Sequence, residues 1–554
     1  MLSAVPATTP IQGTTTDDPY VYQRGYGNHH VTEALPGALP PNGTNLQQKA
    51  NYGLYAEHMN GTSFISSRET VSNVWMYRKR PAAAHNPLHP VRKSHQIEAC
   101  FLPTNTNVNF TPLNYTWGPL KSDAKTDRSD VSSTSGNNDN ITFTQGLKTI
   151  GGHGDATIKE GLAVHQYAFN ADMHREAFTN NDGDMLLVPV RGVLDVKTEL
   201  GMLRVKPGMI AVLPAGIRFS VAIVNSNSDN ETKTITTGSK EKAADGYVLE
   251  IFGTHFALPD LGVLGANCLA HIRDFEYPVA AFDPPSSCRP HTTATTAAAA
   301  AITIKLAGRF FAYTQAHTPF DVVAWHGRLA PYRYDLSRFV HLTANRDQLD
   351  PTAFCVLTAP SKWPGVSLVD FCIFGEKWVV ARDTLRVPYY HRTMATELGG
   401  VILGGYGGSV RLLERGGLSF EQAYMPHGES YEAWERAKGD RGEAVKVAEG
   451  CLGFMFHVSS HLALTKWATE SHPDRRPLRA GVWDPVPSHL VDHTTTANLS
   501  VTKTAAAAGG APSLKHPGPQ EPTPPASPTN GHALLKGKDS RNDIPSASVK
   551  LSER

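Results

Sequence analysis

The sequence is poor in cysteine, has no excess of charge of either sign and lacks long apolar runs. Its six cysteines are scattered without Cys-x-x-Cys spacing, which argues against a disulfide framework or a zinc ribbon and favours reduced thiols. Lysine and arginine number 52 against 51 aspartate and glutamate, so charge offers no basis for binding nucleic acid or an anionic membrane. A run of about 18 apolar residues and a basic, apolar leader are both missing. We therefore expect a soluble, cytoplasmic protein.

Composition divides the 554 residues into a globular body and several polar segments. A hydrophobic content of 40% with 19% charged residues is typical of globular proteins, and the length predicts more than one domain. Residues 1–20 are rich in Thr, Pro and Asp, and residues 494–554 contain almost no large apolar side chain. This predicts a flexible N-terminal tail and a disordered C-terminal tail. Three polar or low-complexity segments are interpreted as inserted surface loops: 121–140, 225–245 and 289–301.

Residues 184–224 contain the clearest strand pattern. Short aliphatic runs alternate there with Gly and Pro turns, at 185–190, 193–198, 202–205, 209–213 and 219–223. Strands at such close spacing predict a sandwich or barrel. Gly208, Pro214 and Gly216 resemble the second half of a cupin motif, but Phe219 stands where a metal-binding cupin has its histidine. We therefore expect a structural jelly roll here, without a metal.

A second β-rich region begins near Gly308 and leads into the stretch 388–428. Helical periodicity is confined to 431–438. The fold class is therefore predicted to be mainly β, a cupin-like jelly roll or β-sandwich, with an N-terminal barrel domain at 21–305 and a C-terminal β domain at 306–493. The strand-like runs of the second region lie at 322–326, 353–357, 368–374, 451–456 and 462–467.

Two histidines and one carboxylate in the second region have the composition of a metal site. His391, Glu397 and His427 match the ligand set that holds non-haem Fe(II) and leaves positions open for O2 and substrate. On a straight strand His391 and Glu397 would stand about 20 Å apart. On a helix they would be about 9 Å apart along the axis and point in different directions. The chain must therefore bend between them if both are ligands, and spacing alone leaves open structural histidines with a solvated glutamate.

Several longer motifs resemble one known family. Pro-Tyr-Tyr-His-Arg at 388–392, the glutamate six residues after its histidine, and Met-Pro-His-Gly at 425–428 are similar to the iron site of the homogentisate 1,2-dioxygenase family. The resemblance runs from about residue 22 to about residue 489 and is interrupted by insertions. The chain is therefore identified as a divergent member with insertions and a C-terminal tail. Further segments that resemble the family, in its order, are 51–57, 181–184, 253–262 and 323–327.

The resemblance implies a ligand set and two further site residues. By it, His391, Glu397 and His427 bind Fe(II), and His427 also touches the substrate. His326 would be the acid/base that moves the phenolic proton, a role suited to an imidazole with an unperturbed pKa of about 6.5. Tyr406 matches the family's substrate-contacting tyrosine. The residues alone leave two other interpretations open. His326 could be a strand histidine that packs on the neighbouring tryptophan, and Tyr406 could be an ordinary loop aromatic.

The resemblance also implies an activity and an assembly. The implied reaction is the Fe(II)-dependent opening of homogentisate (2,5-dihydroxyphenylacetate) to maleylacetoacetate, in tyrosine and phenylalanine catabolism. Its partners would be a small aromatic acid and O2. The implied assembly is a homo-oligomer built from trimers, either a trimer or a hexamer. The C-terminal domain would be the catalytic, iron-binding one.

Several positions near the implied site depart from the family pattern. Thr393 replaces an asparagine, Leu403 replaces an arginine, and Glu421 stands where the family has a second histidine shortly before Pro-His-Gly. A carboxylate in place of an imidazole changes the local charge by about one unit, which is unfavourable beside a substrate carboxylate. Two alternatives therefore remain: a dioxygenase acting on a different dihydroxyphenyl substrate, and a catalytically silent cupin-like paralogue with a binding or structural role.

Overall fold

The computed structural model describes most of the chain between residues 11 and 488. Tyr406, most of the three predicted inserted loops and the predicted tail 494–554 lie outside the described residues. The described residues are 11–12, 18–41, 50–59, 72–91, 96–122, 140–224, 242–260, 269–284, 299–346, 351–382, 384, 386, 388–405, 413–439, 442–477, 481 and 483–488.

Strands dominate the described residues, so the prediction of a mainly β fold is confirmed. The two short α-helices are α1 (Phe143–Gly146) and α2 (Tyr431–Ala437), and none of the described helices has the length and apolar character needed to cross a membrane. The strands of the first half are β1 (Ile11–Gln12), β2 (Val21–Arg24), β3 (His30–Glu33), β4 (Tyr55–Met59), β5 (Val74–Arg78), β6 (His89–Pro90), β7 (Val108–Phe110), β8 (Tyr115–Trp117), β9 (Leu147–Asp155), β10 (Glu160–Phe169), β11 (Glu176–Asn180), β12 (Gly183–Arg191), β13 (Leu194–Thr198), β14 (Gly201–Val205), β15 (Met209–Leu213), β16 (Arg218–Ile223), β17 (Ala244–Phe252) and β18 (Phe275–Pro278). Those of the second half are β19 (Ala300–Leu306), β20 (Arg309–Gln315), β21 (Val322–Gly327), β22 (Tyr332–Asp335), β23 (Cys355–Pro360), β24 (Ser367–Phe374), β25 (Lys377–Val379), β26 (Thr396–Leu403), β27 (Leu418–Glu421), β28 (Val445–Val447), β29 (Leu452–Val458), β30 (Ala463–Thr465) and β31 (Arg475–Pro477).

Four sheets and a two-stranded ribbon of β25 and β28 organise these strands. Sheet 1 has the order β1-β2-β18-β22-β15-β12-β17-β10-β9-β30-β7, and sheet 2 has the order β14-β13-β16-β11-β19-β20-β6. Sheet 3 has the order β3-β21-β5-β4, and sheet 4 has the order β23-β24-β29-β26-β27-β8-β31. Among the described strands, the pair β11 and β19 is parallel and the other pairs are antiparallel.

Sheets 1 and 2 share an apolar core, which makes the N-terminal half a β-sandwich. Buried and half-buried residues alternate along β13, so every second side chain points into this core. Leu194 of β13 lies in one hydrophobic cluster with Met185 of β12 on the other sheet. Phe219 of β16 belongs to the same cluster, with its ring 5.5 Å from that of Phe178. The strands predicted in 184–224 correspond to β12 to β16, so this interpretation is confirmed.

Strands from the two ends of the chain are exchanged between sheets 1 and 4. The early strand β8 pairs with β27 and β31 in sheet 4, whereas the late strand β30 pairs with β7 and β9 in sheet 1. Tyr247 of sheet 1 packs on Phe454 of sheet 4 with ring centroids 4.9 Å apart, and its hydroxyl donates to the Gly417 carbonyl oxygen at 2.6 Å. The compact body ends at Val486. The division into domains at 21–305 and 306–493 stays a prediction.

The segment 1–20, predicted as a flexible tail, contributes two described pieces. The short strand β1 pairs with β2 at the edge of sheet 1. Asp18 is buried, and its Oδ2 accepts from the buried Arg333 guanidinium at 2.5 Å. These contacts attach the described part of the segment to sheet 1.

A buried ionic network links sheets 1 and 2. Lys305 of β19 is fully buried, and its ammonium donates to Asp182 Oδ2 and to Glu250 Oε1, each at 2.7 Å. Glu250 also accepts from His165 Nε2 at 2.9 Å. Burial alone would raise the pKa of Glu250, but Lys305 and His165 outweigh it and lower that pKa to about 2. The carboxylate therefore stays charged at neutral pH and depends on Lys305 for its counter-charge.

Replacing Lys305 with methionine is expected to lower the free energy of unfolding by about 3–5 kcal/mol, because two buried carboxylates would lose their counter-charge. Urea unfolding at pH 7 measures the change. Lys438→Met is the matched control, since Lys438 pairs with Glu435 at the surface at 3.0 Å, where an ion pair contributes about 0–1 kcal/mol. Equal stability of the two variants would contradict the dependence of this core on Lys305.

Candidate metal centre

His391 and His427 are brought together by a backbone bridge. Each donates its backbone N–H to the carbonyl oxygen of the other, at 3.0 and 3.1 Å, in an isolated antiparallel pair. Residues directly opposite each other in such a pair project their side chains to the same side. The two imidazole rings accordingly lie edge to face, with centroids 4.2 Å apart.

Glu397 reaches the two histidines from the start of β26. Bends at Met394 and Ala395 redirect the chain before that strand begins, so the predicted bend between His391 and Glu397 is confirmed. The Glu397 Oε2 atom lies 3.2 Å from His427 Nε2. One donor atom from each of the three residues lies within 4.8 Å of the other two. The structure therefore places the three predicted ligands in one cluster.

Backbone carbonyls set the orientation of both imidazole rings. His391 Nδ1 lies 3.3 Å from the Tyr389 carbonyl oxygen, and His427 Nδ1 lies 2.9 Å from that of Met425. A carbonyl oxygen can only accept, so each Nδ1 carries the proton and donates. When Nε2 is unprotonated, this tautomer presents the Nε2 lone pair, which is the form in which a neutral imidazole binds a metal.

The pKa values of Glu397 and His427 are shifted in opposite directions. Burial alone would raise the pKa of Glu397, but the hydrogen bond and charge of His427, together with the charges of His391 and His457, lower it overall. Burial alone would lower the pKa of His427, but Glu397, the Met425 carbonyl and the charge of Glu421 raise it overall. Each shift favours the charged form of its group. A divalent cation bound between these groups would supply the positive charge that protonated His427 otherwise places beside Glu397.

The cluster has the chemistry of an open metal site. Two imidazoles and one carboxylate form the facial set that suits Fe(II) and leaves coordination positions free. The three side chains are half-buried, so small molecules can reach them. Tyr389 is exposed and packs beside the cluster, with its ring centroid 5.4 Å from that of His391. The residues present therefore fit a mononuclear metal ion that accepts further ligands.

Two further side chains flank Glu397 across sheet 4. Glu421 of β27 lies directly opposite Glu397 on one side, and His457 of β29 lies directly opposite it on the other. The His457 Nε2 atom is 4.0 Å from Glu397 Oε1. Sequence reasoning missed His457, because nothing in the local pattern of β29 distinguishes it and its relation to Glu397 depends on the strand register.

His326, the predicted acid/base, lies in sheet 3 and is buried. Its Nδ1 is 3.2 Å from His29 Nε2, and its Nε2 is 3.4 Å from the Tyr77 hydroxyl. It does not belong to the three-residue cluster of the described residues. The preceding Trp325 points to the other side of β21, where its indole donates to the Leu200 carbonyl oxygen at 2.7 Å. His326 and Trp325 therefore lie on opposite faces of β21, and His326 does not pack against that tryptophan.

The environment of His326 favours a neutral ring. Burial, together with the charges of His29 and His58, lowers its pKa to about 4. A neutral imidazole has one nitrogen that can accept a proton. Tyr406, the other residue predicted for substrate contact, lies outside the described residues, and its role stays a prediction.

A mainly β sandwich with a His–Glu–His cluster defines this chain as a candidate mononuclear metal protein. Two family models match it: the one described as homogentisate 1,2-dioxygenase N-terminal matches residues 21–336, and the one described as homogentisate 1,2-dioxygenase C-terminal matches residues 337–490. The chain belongs to the homogentisate 1,2-dioxygenase family. The family assignment made from the motifs is thereby confirmed.

Individual relatives show the same similarity over most of the chain. A homogentisate 1,2-dioxygenase from Caenorhabditis elegans is 38% identical over 476 residues, which cover 85% of this chain and 98% of that protein. One from Drosophila melanogaster is 38% identical over 455 residues, covering 82% of this chain and 94% of that protein. Among solved structures, a cupin 2 conserved barrel domain protein from Leptotrichia buccalis covers 59% of this chain and 92% of that chain, at 8% identity. Its TM-score of 0.22 is too low to support any argument.

Proposed function

We propose that this chain is an Fe(II)-dependent dioxygenase that opens the aromatic ring of homogentisate to maleylacetoacetate, in tyrosine and phenylalanine catabolism. The observation that carries the proposal is the cluster of His391, Glu397 and His427, whose donor atoms lie within 4.8 Å of one another. Membership of the homogentisate 1,2-dioxygenase family supports the choice of substrate and of O2 as co-substrate.

In this proposal the side chains hold the metal and handle the substrate's proton. Bound Fe(II) would offer adjacent open positions at which O2 and a phenolate can lie side by side. His391 and His427 would hold the ion through their Nε2 atoms and Glu397 through its carboxylate, giving a centre of net charge about +1. His427 also contacts the substrate. His326, neutral at pH 7, accepts the phenolic proton at its unprotonated ring nitrogen, with a neighbouring hydroxyl or imidazole within 3.2–3.4 Å to exchange it.

The assembly and compartment are part of the proposal. We assign the protein to the cytoplasm, because the described cysteines Cys100, Cys355, Cys372 and Cys451 are all free thiols, as expected in a reducing compartment. We assign it a homo-oligomeric state built from trimers. Light scattering on the purified full chain measures the assembly, and a monomer at micromolar concentration would contradict it.

The activity is tested by loading the full chain anaerobically with Fe(II) and measuring oxygen uptake across a panel of dihydroxyphenyl acids. We expect rapid uptake with homogentisate, at one O2 per molecule of substrate opened. Uptake with a different panel member only would leave the chain a dioxygenase with another substrate. Iron binding without uptake on any member would favour the silent binding or structural paralogue.

Glu421 favours a second candidate, a dioxygenase for a dihydroxyphenyl substrate that lacks a carboxylate. Glu421 is directly opposite the ligand Glu397 in the sheet register. Its charge also contributes to the raised pKa of His427, so it acts within the site. A carboxylate there repels an anionic substrate tail.

Replacing Glu421 with histidine or with glutamine is expected to lower the KM for homogentisate by about tenfold, because both changes remove a like charge near the substrate. Tenfold corresponds to about 1.4 kcal/mol, a fraction of the roughly 4 kcal/mol between two unit charges 4 Å apart at an effective dielectric near 20. Steady-state oxygen uptake measures KM. The glutamine variant is the control for charge alone, and unchanged KM in both variants would show that Glu421 does not face the substrate.

A further inference from the structure

Sheet 4 aligns a row of ionisable side chains across four neighbouring strands. Glu421, Glu397, His457 and Asp370 occupy directly opposed positions on β27, β26, β29 and β24. Directly opposed residues of an antiparallel sheet project to the same face. All four side chains are half-buried. His457 is therefore the one imidazole in a row of carboxylates, and it stands next to the candidate ligand Glu397.

The two oxygens of Glu397 have different neighbours. Oε2 faces His427 Nε2 at 3.2 Å, on the side of the candidate metal. Oε1 faces away from it, towards the Thr393 hydroxyl at 3.2 Å and His457 Nε2 at 4.0 Å. The Thr393 hydroxyl has one proton, and the Ala395 carbonyl oxygen lies closer to it, at 2.9 Å. Oε1 therefore shares that donor, and the imidazole of His457 lies beyond hydrogen-bond distance but within 4.0 Å of it.

His457 is not a member of the cluster itself. Among the described residues the group that could hold a metal comprises His391, Glu397 and His427. A carboxylate oxygen accepts only, so the tautomer of His457 with its proton on Nε2, the nitrogen 4.0 Å from Oε1, is the one that Glu397 favours. Glu421 lies on the strand on the other side of Glu397, and its negative charge repels the Glu397 carboxylate. His457, on the opposite neighbouring strand, counteracts that repulsion.

We propose that His457 is a positioning residue that holds Oε1 of Glu397 and thereby keeps Oε2 turned towards His391, His427 and the metal. The inference rests on the proposed function, in that it takes Glu397 as a metal ligand. Groups that orient a ligating carboxylate from behind typically change metal affinity by about 10- to 100-fold when they are removed. The expected signature is weaker metal binding with the three ligands still present.

The test is Co(II) binding to the full chain. A titration measures the Kd, and the visible absorption spectrum reports the surroundings of the bound ion. We expect His457→Phe, which keeps a ring but has no N–H, to raise the Co(II) Kd by about 10- to 100-fold and to change the spectrum. His457→Gln keeps a donor and should bind Co(II) with close to the wild-type Kd and spectrum. His461→Phe, at an exposed position on the same segment, is the matched control and should change neither.

The outcomes separate this inference from the proposed function. A His457→Phe variant with wild-type Kd and spectrum overturns the inference, and so does an equal loss in the Phe and Gln variants. Glu397→Ala is measured in the same series: if it binds Co(II) as tightly as the wild type does, the metal site itself is wrong. If Glu397→Ala loses Co(II) and His457→Phe does not, the site stands and only the role of His457 fails. If thermal unfolding shows that His457→Phe does not fold, His457→Ala takes its place with the same expectations.

Discussion

Replacing His391, Glu397 or His427 with alanine is expected to remove the metal from the purified protein and to abolish oxygen uptake. Three ligands are the minimum that holds an ion while leaving positions open. Each replacement leaves two ligands, which is too few. The three donor atoms lie within 4.8 Å of one another, so we expect each of them to contribute to binding the ion. Metal content per chain, measured after anaerobic loading with Fe(II) and desalting, is expected to fall from about one to near zero.

A matched control separates loss of a ligand from loss of a histidine. His89 lies on β6, is exposed and takes no part in the cluster, so His89→Ala should keep full metal content and activity. Thermal unfolding of every variant checks that the fold survives. Full metal occupancy in two of the three ligand variants would exclude the cluster as the metal site, whatever the activity of those variants.

Replacing His326 with alanine is expected to leave metal content unchanged and to lower kcat by about 10²–10⁴-fold, the usual effect of removing a general acid or base. The structure supports the first half of this expectation, because His326 lies outside the cluster and contacts His29 and Tyr77. Metal analysis and oxygen uptake on the same preparation measure both halves. His317→Ala, at another buried histidine before β21, is the control.

The pH profile gives an independent readout of His326. Its pKa is about 6.5 in an unfolded chain and about 4 in the fold, so the ring stays neutral until the pH approaches 4. The acid limb of kcat/KM assigned to His326, which reports the protein without substrate, is therefore expected near pH 4. The same shift makes its contribution to stability complete above about pH 6.5 and progressively lost as the pH falls towards 4. Loss of metal in His326→Ala, or an acid limb near pH 6.5, would contradict the role.

The sequence by itself determined the class of fold and pointed to the three candidate ligands. Short apolar runs between Gly and Pro turns were enough to predict β12 to β16, because strand periodicity and turn chemistry are local properties. The helix α2 followed from the same kind of local pattern. The ligand types and the motifs around His391 and His427 indicated a metal site and a family. The spacing of His391 and Glu397 also required a bend, since no straight element brings them within reach of one ion.

Only the tertiary structure decided which side chains meet. The bridge between His391 and His427, the exchange of β8 and β30 between sheets, and the register that places Glu421 and His457 on either side of Glu397 all join residues distant in the chain. A shift of one residue in that register would turn His457 to the opposite face. Register between distant strands is set by the packing of whole sheets, which no local window of sequence contains.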